Sequence, residues 1–296
     1  MRSEYKILPS NSSSFLKIRQ ENLLYIDKTE YIHNLLSIKS SNNWFLARPS
    51  GFGKTLFIDT LEQLFLGHEE LFRGLFIHSK GYDFKPCPVV RLNMDMSSSS
   101  KDDLNAAIIS ALKARAKEDG LALMSRNPGE ALEGLIYELY EKNNNQPIAV
   151  LIDDYDKPIL DHFNHPIKNP KLLLEIQEFL CDFYVSVKRS AKYLGFVFMT
   201  GISEVGETDI HSRLTILKDI SQLPLYGGIC GFTETEIIDN FHPLFDNLLM
   251  SLIKSRVLKK GADHKVLINS VLKKYEYCWD EKTIVFCPSS IIEYFI

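Results

Sequence analysis

Eight consecutive residues, Arg48-Pro49-Ser50-Gly51-Phe52-Gly53-Lys54-Thr55, combine the types that can hold a chain of phosphates. Gly51 and Gly53 permit backbone conformations that turn successive N–H groups inward, Lys54 can reach terminal phosphates, and the Thr55 hydroxyl can coordinate Mg²⁺. Ser50 and Phe52 complete the candidate nucleotide-binding set. The pattern departs from G-x-x-x-x-G-K-[ST] at its first position, where Arg48 replaces glycine, and Pro49 removes one possible N–H donor. Taken alone, the loop also suits an ordinary glycine turn between a strand and a helix.

A second group lies about a hundred residues on, where the apolar run Ile148-Ala149-Val150-Leu151-Ile152 ends in Asp153-Asp154. A strand buried on both faces does not tolerate an ionised carboxylate at its middle, but its carboxyl end opens into the crevice where α/β sheets take ligands. Asp153 is the candidate Mg²⁺ residue, through water, and Asp154 the candidate catalytic group that polarises an attacking water. A solvated turn would use the same pair; the order of the two motifs, loop first and acidic strand end second, is what joins them. Met199-Thr200-Gly201 ends a further apolar run, and Thr200 is either a sensor of the terminal phosphate or a plain strand-ending residue. Arg189 and Arg213 are both candidates for an arginine finger.

Such residues need rigid elements to present them. Four runs read as buried strands, Trp44 to Ala47, Val89 to Met94, Ile148 to Ile152 and Leu194 to Met199, with a weaker fifth near Ile220 to Leu225. Helical patterns fill 54–66, 101–118, 128–142 and 170–192; in the last, Leu172, Leu173, Ile176, Phe179 and Leu180 form one apolar stripe. Strands alternating with helices predict an α/β fold with a mostly parallel sheet flanked by helices. After Gly231 the texture changes: Thr233-Glu234-Thr235-Glu236 is a capping box, and helical patterns run to about residue 274. The expected division is a nucleotide-binding domain over 1–230 and a small, mainly helical C-terminal region over 231–296, with a short strand at Thr283 to Phe286 and a short helix after Pro288.

The bulk properties narrow the class. A chain of 296 residues with 45% hydrophobic content can bury a sizeable core, and a formal net charge of -4 provides no global field towards nucleic acid or an acidic membrane. No apolar run reaches the roughly 18 residues that a membrane span requires, and the first residues lack a signal-peptide apolar stretch, so a cytoplasmic location is expected. Five cysteines without a C-x-x-C pair, Cys87, Cys181, Cys230, Cys278 and Cys287, suggest reduced thiols rather than a disulfide framework or a zinc site. Asp161, His162 and His165 form a local cluster in a Pro- and Asn-rich stretch, without the fixed ligand spacing of a metal site. Lys254, Arg256, Lys259, Lys260, Lys265, Lys273 and Lys274 suit a solvated helix face better than a nucleic-acid contact, which has only weak support. Phe57, Phe65, Phe72 and Phe76 read as packing residues.

The ordered segments Leu24-Tyr25-Ile26-Asp27-Lys28-Thr29, Leu46 to Pro49 running into Phe52-Gly53-Lys54-Thr55, Leu71-Phe72-Arg73-Gly74-Leu75, Val150 to Pro158, Met199-Thr200-Gly201-Ile202 and Tyr226-Gly227-Gly228 to Thr233 give the chain a family likeness. It resembles the prokaryotic AAA-ATPase-like family, P-loop proteins often fused to a PD-(D/E)XK-type nuclease, from about residue 8 to the C-terminus. Arg at the first loop position is a family trait, so the resemblance weakens that objection to the P-loop. It implies a Mg-ATP-binding ATPase or nucleotide-operated switch with ATP as ligand, Mg²⁺ on Thr55 and Asp153, and Tyr25 and Asp27 near the nucleotide. Tyr25 would pack on the base; alternatively Asp27 is simply a cap for the helix from Lys28. The family usually carries aspartate-glutamate where Asp153-Asp154 stands, and the shorter arm of Asp154 implies slow turnover. The sequence stops at Ile296, where the nuclease would begin, with no Asp…Glu-x-Lys pattern after the tail, as in a truncated or decaying member. The competing expectation is therefore a catalytically weak or inactive interaction module, with a homo-oligomer or a macromolecular partner engaged through 231–296.

Overall fold

The computed structural model describes residues 6–9, 13–96, 98–163, 169–202, 215–255, 276–278 and 283–296. The chain divides into two compact units. One comprises Ile32–Pro49 and Leu61–Ser221; the other comprises Met1–Tyr31, Ser50–Thr60 and Gln222–Ile296.

The first unit is built on a five-stranded, all-parallel sheet of β1 (Asn43–Ala47), β2 (Val89–Asn93), β3 (Ile148–Asp153), β4 (Leu194–Gly201) and β5 (Lys218–Asp219), in the order β2-β3-β4-β1-β5. Every residue of β3 is buried, which explains its unbroken apolar run. Side chains alternate between faces. Phe45, Ala47, Val90, Leu92, Val150, Ile152, Val197 and Met199 join one core with α6 (Lys101–Glu118), α7 (Pro128–Lys142) and α9 (Pro170–Arg189). Those helices form because their apolar residues recur every three or four positions, as at Leu104, Ile108, Leu112 and Ala116. Their starts are set by side-chain caps: Ser100, Asn127 and Asn169 accept from the N–H groups of Asp103, Glu130 and Leu172, and the last two caps precede Pro128 and Pro170 at the first helical position.

From β1 the chain crosses to β2 at the far edge of the sheet, whereas the later steps β2 to β3, β3 to β4 and β4 to β5 all move the opposite way. Right-handed crossovers place the two kinds of connection on opposite faces. Accordingly the Leu61–Phe65 end of α3 (Lys54–Phe65) meets the other face, with Phe65 against Phe196 at 5.0 Å between ring centroids and Glu62 accepting from Arg91 at 2.6 Å.

The fifth strand is shorter and earlier than the run Ile220 to Leu225 suggests. Ile220 still donates to the carbonyl of Phe45, but Ser221 turns away, with its N–H on the Asp219 carboxylate and its hydroxyl accepting from Ala47. Pro224 then opens a 3₁₀ turn, Pro224–Tyr226. Shorter helices also occur where the sequence shows no periodic stripe: α4 (Glu69–Phe72), α5 (Phe76–Ser79) and α8 (Lys157–Phe163).

In the second unit, α1 (Phe15–Gln20) is capped by Ser14, and α10 (Glu234–Lys254) carries the expected capping box between Thr233 and Glu236. A hairpin of β6 (Glu276–Cys278) and β7 (Ile284–Phe286) precedes α11 (Pro288–Phe295). Ile26, Ile237, Phe241, Phe245, Phe286 and Ile291 form its core. Lys28 is buried there with its ammonium on the Glu236 carboxylate, 2.6 and 2.7 Å, and on the carbonyl of Gly228 at 2.9 Å. Helical residues expected beyond 255 lie outside the described residues, and among the described residues no helix is long and apolar enough to cross a membrane.

Candidate functional site

The carboxyl edge of the sheet gathers several polar groups within the first unit. Asp153 closes β3 opposite Asn93 of β2, and Thr200 stands near the end of β4 opposite Leu46 of β1. Asp153 is fully buried; its Oδ1 accepts from the Thr200 hydroxyl at 2.7 Å, and its Oδ2, also buried, has no hydrogen-bond partner among the described residues. A buried carboxylate oxygen left in this state is unfavourable unless a cation or water meets it. The donor set, one carboxylate beside one hydroxyl, fits the oxygen preference of Mg²⁺.

The chain after Asp153 is wound onto the end of β4. Asp154 has φ +50°, a left-handed conformation that asparagine and aspartate tolerate better than most residues, and its N–H lies 3.4 Å from the Thr200 hydroxyl oxygen. Tyr155 donates its N–H to the carbonyl of Thr200, and the buried carboxylate of Asp156 accepts the N–H of Ile202 at 3.1 and 3.2 Å. This close approach requires Gly201, since a Cβ there would lie 2.4 Å from the Tyr155 ring. Asp156 and Gly201 are thus positioning residues that the reading of motifs did not single out.

Arg48, the residue at the anomalous first loop position, also belongs to this unit. Its side chain is fully buried and donates through Nη1 to the carbonyls of Ala47 at 2.8 Å and Ser221 at 3.0 Å, while its N–H donates to Gly201. Arg48 therefore extends the order of β1 by one residue and ties it to the segment after β5.

In the second unit, Ser50 to Thr55 run from an exposed Ser50 to a buried Lys54, 6% exposed, and a half-buried Thr55. Gly51 and Gly53 have φ +83° and +91°. At Gly53 a Cβ would meet nothing within 4 Å, so the backbone angle alone requires glycine; at Gly51 it would also meet the Ser289 hydroxyl oxygen at 2.4 Å. The helical ladder starts directly behind, with Phe57 N–H on the Gly53 carbonyl at 3.0 Å, so the loop stands at a helix N-terminus, where backbone N–H groups and the helix dipole favour an anion. Phe52 is buried, with its ring 5.6 Å from that of Tyr277.

Of the residues singled out from sequence, Asp153, Asp154 and Thr200 come together in one unit and Ser50 to Thr55 stand in the other. Tyr25 packs its ring edge-on to Phe15 at 5.0 Å, and burial pushes its hydroxyl pKa well above the usual value, against a hydrogen bond from Thr60. Asp27 accepts both the N–H and the hydroxyl of Thr29, the first residue of α2 (Thr29–Ser37), as a cap would. Arg189 is a surface residue, 3.4 Å from Glu133, and Arg213 lies outside the described residues. Asp161 pairs with Lys157 at 2.6 Å, His165 falls outside the described residues, and no cluster of three or more His, Cys, Asp or Glu suited to a metal occurs among those described. Of the basic C-terminal residues only Lys254 is described. Cys87, Cys181, Cys230 and Cys287 carry no disulfide, and burial raises the Cys87 thiol to about 11.

Two comparisons bear on this arrangement. A family model described as "Predicted AAA-ATPase" matches residues 9–211. An "Uncharacterized protein in vnfD 5'region" of Azotobacter chroococcum mcd 1 is 34% identical over 240 residues, which is 80% of this chain and 45% of that protein. The chain therefore spans about half the length of this curated relative.

Proposed function

The chain belongs to the predicted AAA-ATPase family, and from that membership we propose that it binds Mg-ATP and hydrolyses it slowly, with binding acting as a switch. The observation that carries this reading is the Asp153 carboxylate, sealed at the sheet edge with one oxygen held by Thr200 and the other without a partner among the described residues. Such an arrangement is costly in a resting protein, and a cation meeting the open oxygen offsets that cost.

In this reading the N–H groups of Ser50 to Thr55 take the phosphate oxygens, Lys54 neutralises the terminal phosphates, and Thr55 and Asp153 hold Mg²⁺. The cation supplies charge neutralisation on the transferred phosphoryl group. Thr200 orients Asp153 through its single proton, so its sensing of the terminal phosphate acts through that carboxylate. Asp154 accepts the proton of the attacking water. Its short arm and its left-handed backbone support slow turnover, because the reach to a water depends on one methylene fewer than glutamate provides.

The alternative, an interaction module without turnover, is favoured by the same Asp154. Calorimetric titration of Mg-ATP into wild type and Lys54→Ala, with phosphate release measured on both, separates the readings. The expected result is binding by the wild type, loss of at least about tenfold affinity in Lys54→Ala, and slow release of phosphate by the wild type alone. Binding without release establishes the module; no binding by folded wild type removes both the switch and the ATPase.

A further inference from the structure

The tip of the glycine loop is held from behind by segments far away in sequence. The Gly51 carbonyl accepts the N–H of Ser289 at 3.3 Å and faces the Cys287 thiol at 3.7 Å; the Phe52 carbonyl accepts the N–H of Gly231 at 2.9 Å. The two holding segments are themselves joined, because Phe232 and Phe286 exchange both backbone hydrogen bonds, at 2.9 and 2.7 Å. Gly231, with φ +89°, packs where a Cβ would meet Val285 at 3.0 Å and the Phe52 ring at 3.1 Å. All these residues belong to the second unit.

A trans peptide is planar, so its C=O and N–H point in opposite directions. Anchoring the Gly51 carbonyl on Ser289 therefore turns the Phe52 N–H the other way, and anchoring the Phe52 carbonyl on Gly231 does the same for the Gly53 N–H. These are two of the donors that a phosphate-binding loop must aim together. A glycine-containing loop would otherwise sample several peptide orientations, and fixing one of them lowers the entropy that a ligand must remove on binding.

We infer that Gly231 and the Cys287–Ser289 turn are positioning residues of the phosphate-binding loop, so that nucleotide affinity is set in part from the C-terminal segment. This rests on the reading of residues 50–55 as the nucleotide site. Linkage makes the effect reciprocal: if the anchored arrangement binds nucleotide more tightly, nucleotide tightens the anchor by the same factor. The switch then has an output, the hold of the loop on the turn that starts α11.

The test uses the full chain in three measurements. Hydrogen exchange of the peptide covering 50–57 is compared in wild type and Ser289→Leu without nucleotide, with Ser289→Ala as control. The Ser289 hydroxyl oxygen stands only 2.4 Å from where a Cβ on Gly51 would lie, so a leucine branch crowds the loop there, and exchange of the loop should quicken about tenfold in Ser289→Leu and little in Ser289→Ala. Mg-ATP titration should show about tenfold weaker binding by Ser289→Leu, with the circular dichroism of wild type retained. In wild type, alkylation of Cys287, followed by mass spectrometry, should slow at least about threefold with Mg-ATP bound. If wild type binds no Mg-ATP, the nucleotide reading fails and the exchange result alone decides the anchor. Unchanged exchange in a folded Ser289→Leu overturns the inference, as does Mg-ATP binding with unchanged Cys287 alkylation. If Ser289→Leu does not fold, the alkylation result decides.

Discussion

Replacing Asp153 by asparagine should raise the stability of the protein alone while removing most of the stabilisation by Mg-ATP. The carboxylate is fully buried, and taking such an ion from water costs several kcal/mol even after relaxation. The Thr200 hydroxyl returns roughly 1.5–3 kcal/mol of that as a hydrogen bond to a charged group. In Asp153→Asn the amide oxygen is a neutral acceptor for the same hydroxyl, worth about 1 kcal/mol, and the amide nitrogen places a donor on the Oδ2 side at a loss of about 1–3 kcal/mol if unmet. The balance favours the variant by about 1 kcal/mol, a rise of roughly 2–4 °C in Tm for a protein of this size. With nucleotide at a hundred times Kd, wild type gains about 2.7 kcal/mol, or roughly 5–10 °C, whereas the variant lacks the carboxylate that meets the cation and should gain less than about 2 °C. Thermal scans in chelator and in Mg-ATP read both quantities, and the order of the two proteins should reverse between them. An asparagine variant that melts several degrees below wild type in chelator and responds to Mg-ATP as wild type does would show that Asp153 serves the sheet edge and not a cation.

Two further outcomes test the surroundings. Arg48→Met should lower stability by about 2–4 kcal/mol, seen as a lower denaturation midpoint, because it leaves the buried carbonyls of Ala47 and Ser221 without their donor; an unchanged midpoint would mean that Arg48 does not tie β1 to the segment after β5. Tyr25 has its folded pKa raised by burial, so the stability it contributes is complete below the unfolded value of 10.0 and is lost as pH rises beyond it. The advantage of wild type over Tyr25→Phe in denaturant melts should therefore shrink between about pH 8 and about pH 11, and an advantage that grows would contradict the burial of this hydroxyl.

The helices were legible wherever a periodic stripe met a start signal. For 101–118 and 128–142 the apolar spacing and the caps Ser100 and Asn127 act within four residues of each other, so each start is set locally. The parallel strands were legible because burial on both faces leaves an apolar run, and β3 is the extreme case. β5 was misplaced for the converse reason. Its two residues, Lys218 and Asp219, are exposed and carry no apolar signal, while the apolar Ile220 that drew the reading sits where the ladder is already ending. Leu223 and Leu225 of the same run are exposed, and Pro224 between them opens a 3₁₀ turn, so their apolar character reflects neither strand pairing nor burial.

In the candidate site the residue types were legible and their partners were not. Gly51 reads as glycine because of its positive φ, yet the turn at Cys287–Ser289 that also excludes a side chain lies more than two hundred residues away, so no local pattern encodes it. Arg48 looks like a defect when judged against a phosphate-binding pattern, because that pattern records only the groups facing the ligand. Judged against the sheet, the same residue is a donor whose planar guanidinium reaches two carbonyls, Ala47 beside it and Ser221 across the unit, as a lysine ammonium on a flexible stem would do less rigidly. A glycine at position 48 would leave both carbonyls to find other partners at the point where the chain leaves β1 for the loop. The departure from the expected motif is thus accounted for by the tie between β1 and the segment after β5, and Arg48→Lys, which keeps the charge but not the rigid guanidinium, should recover only part of the stability lost in Arg48→Met.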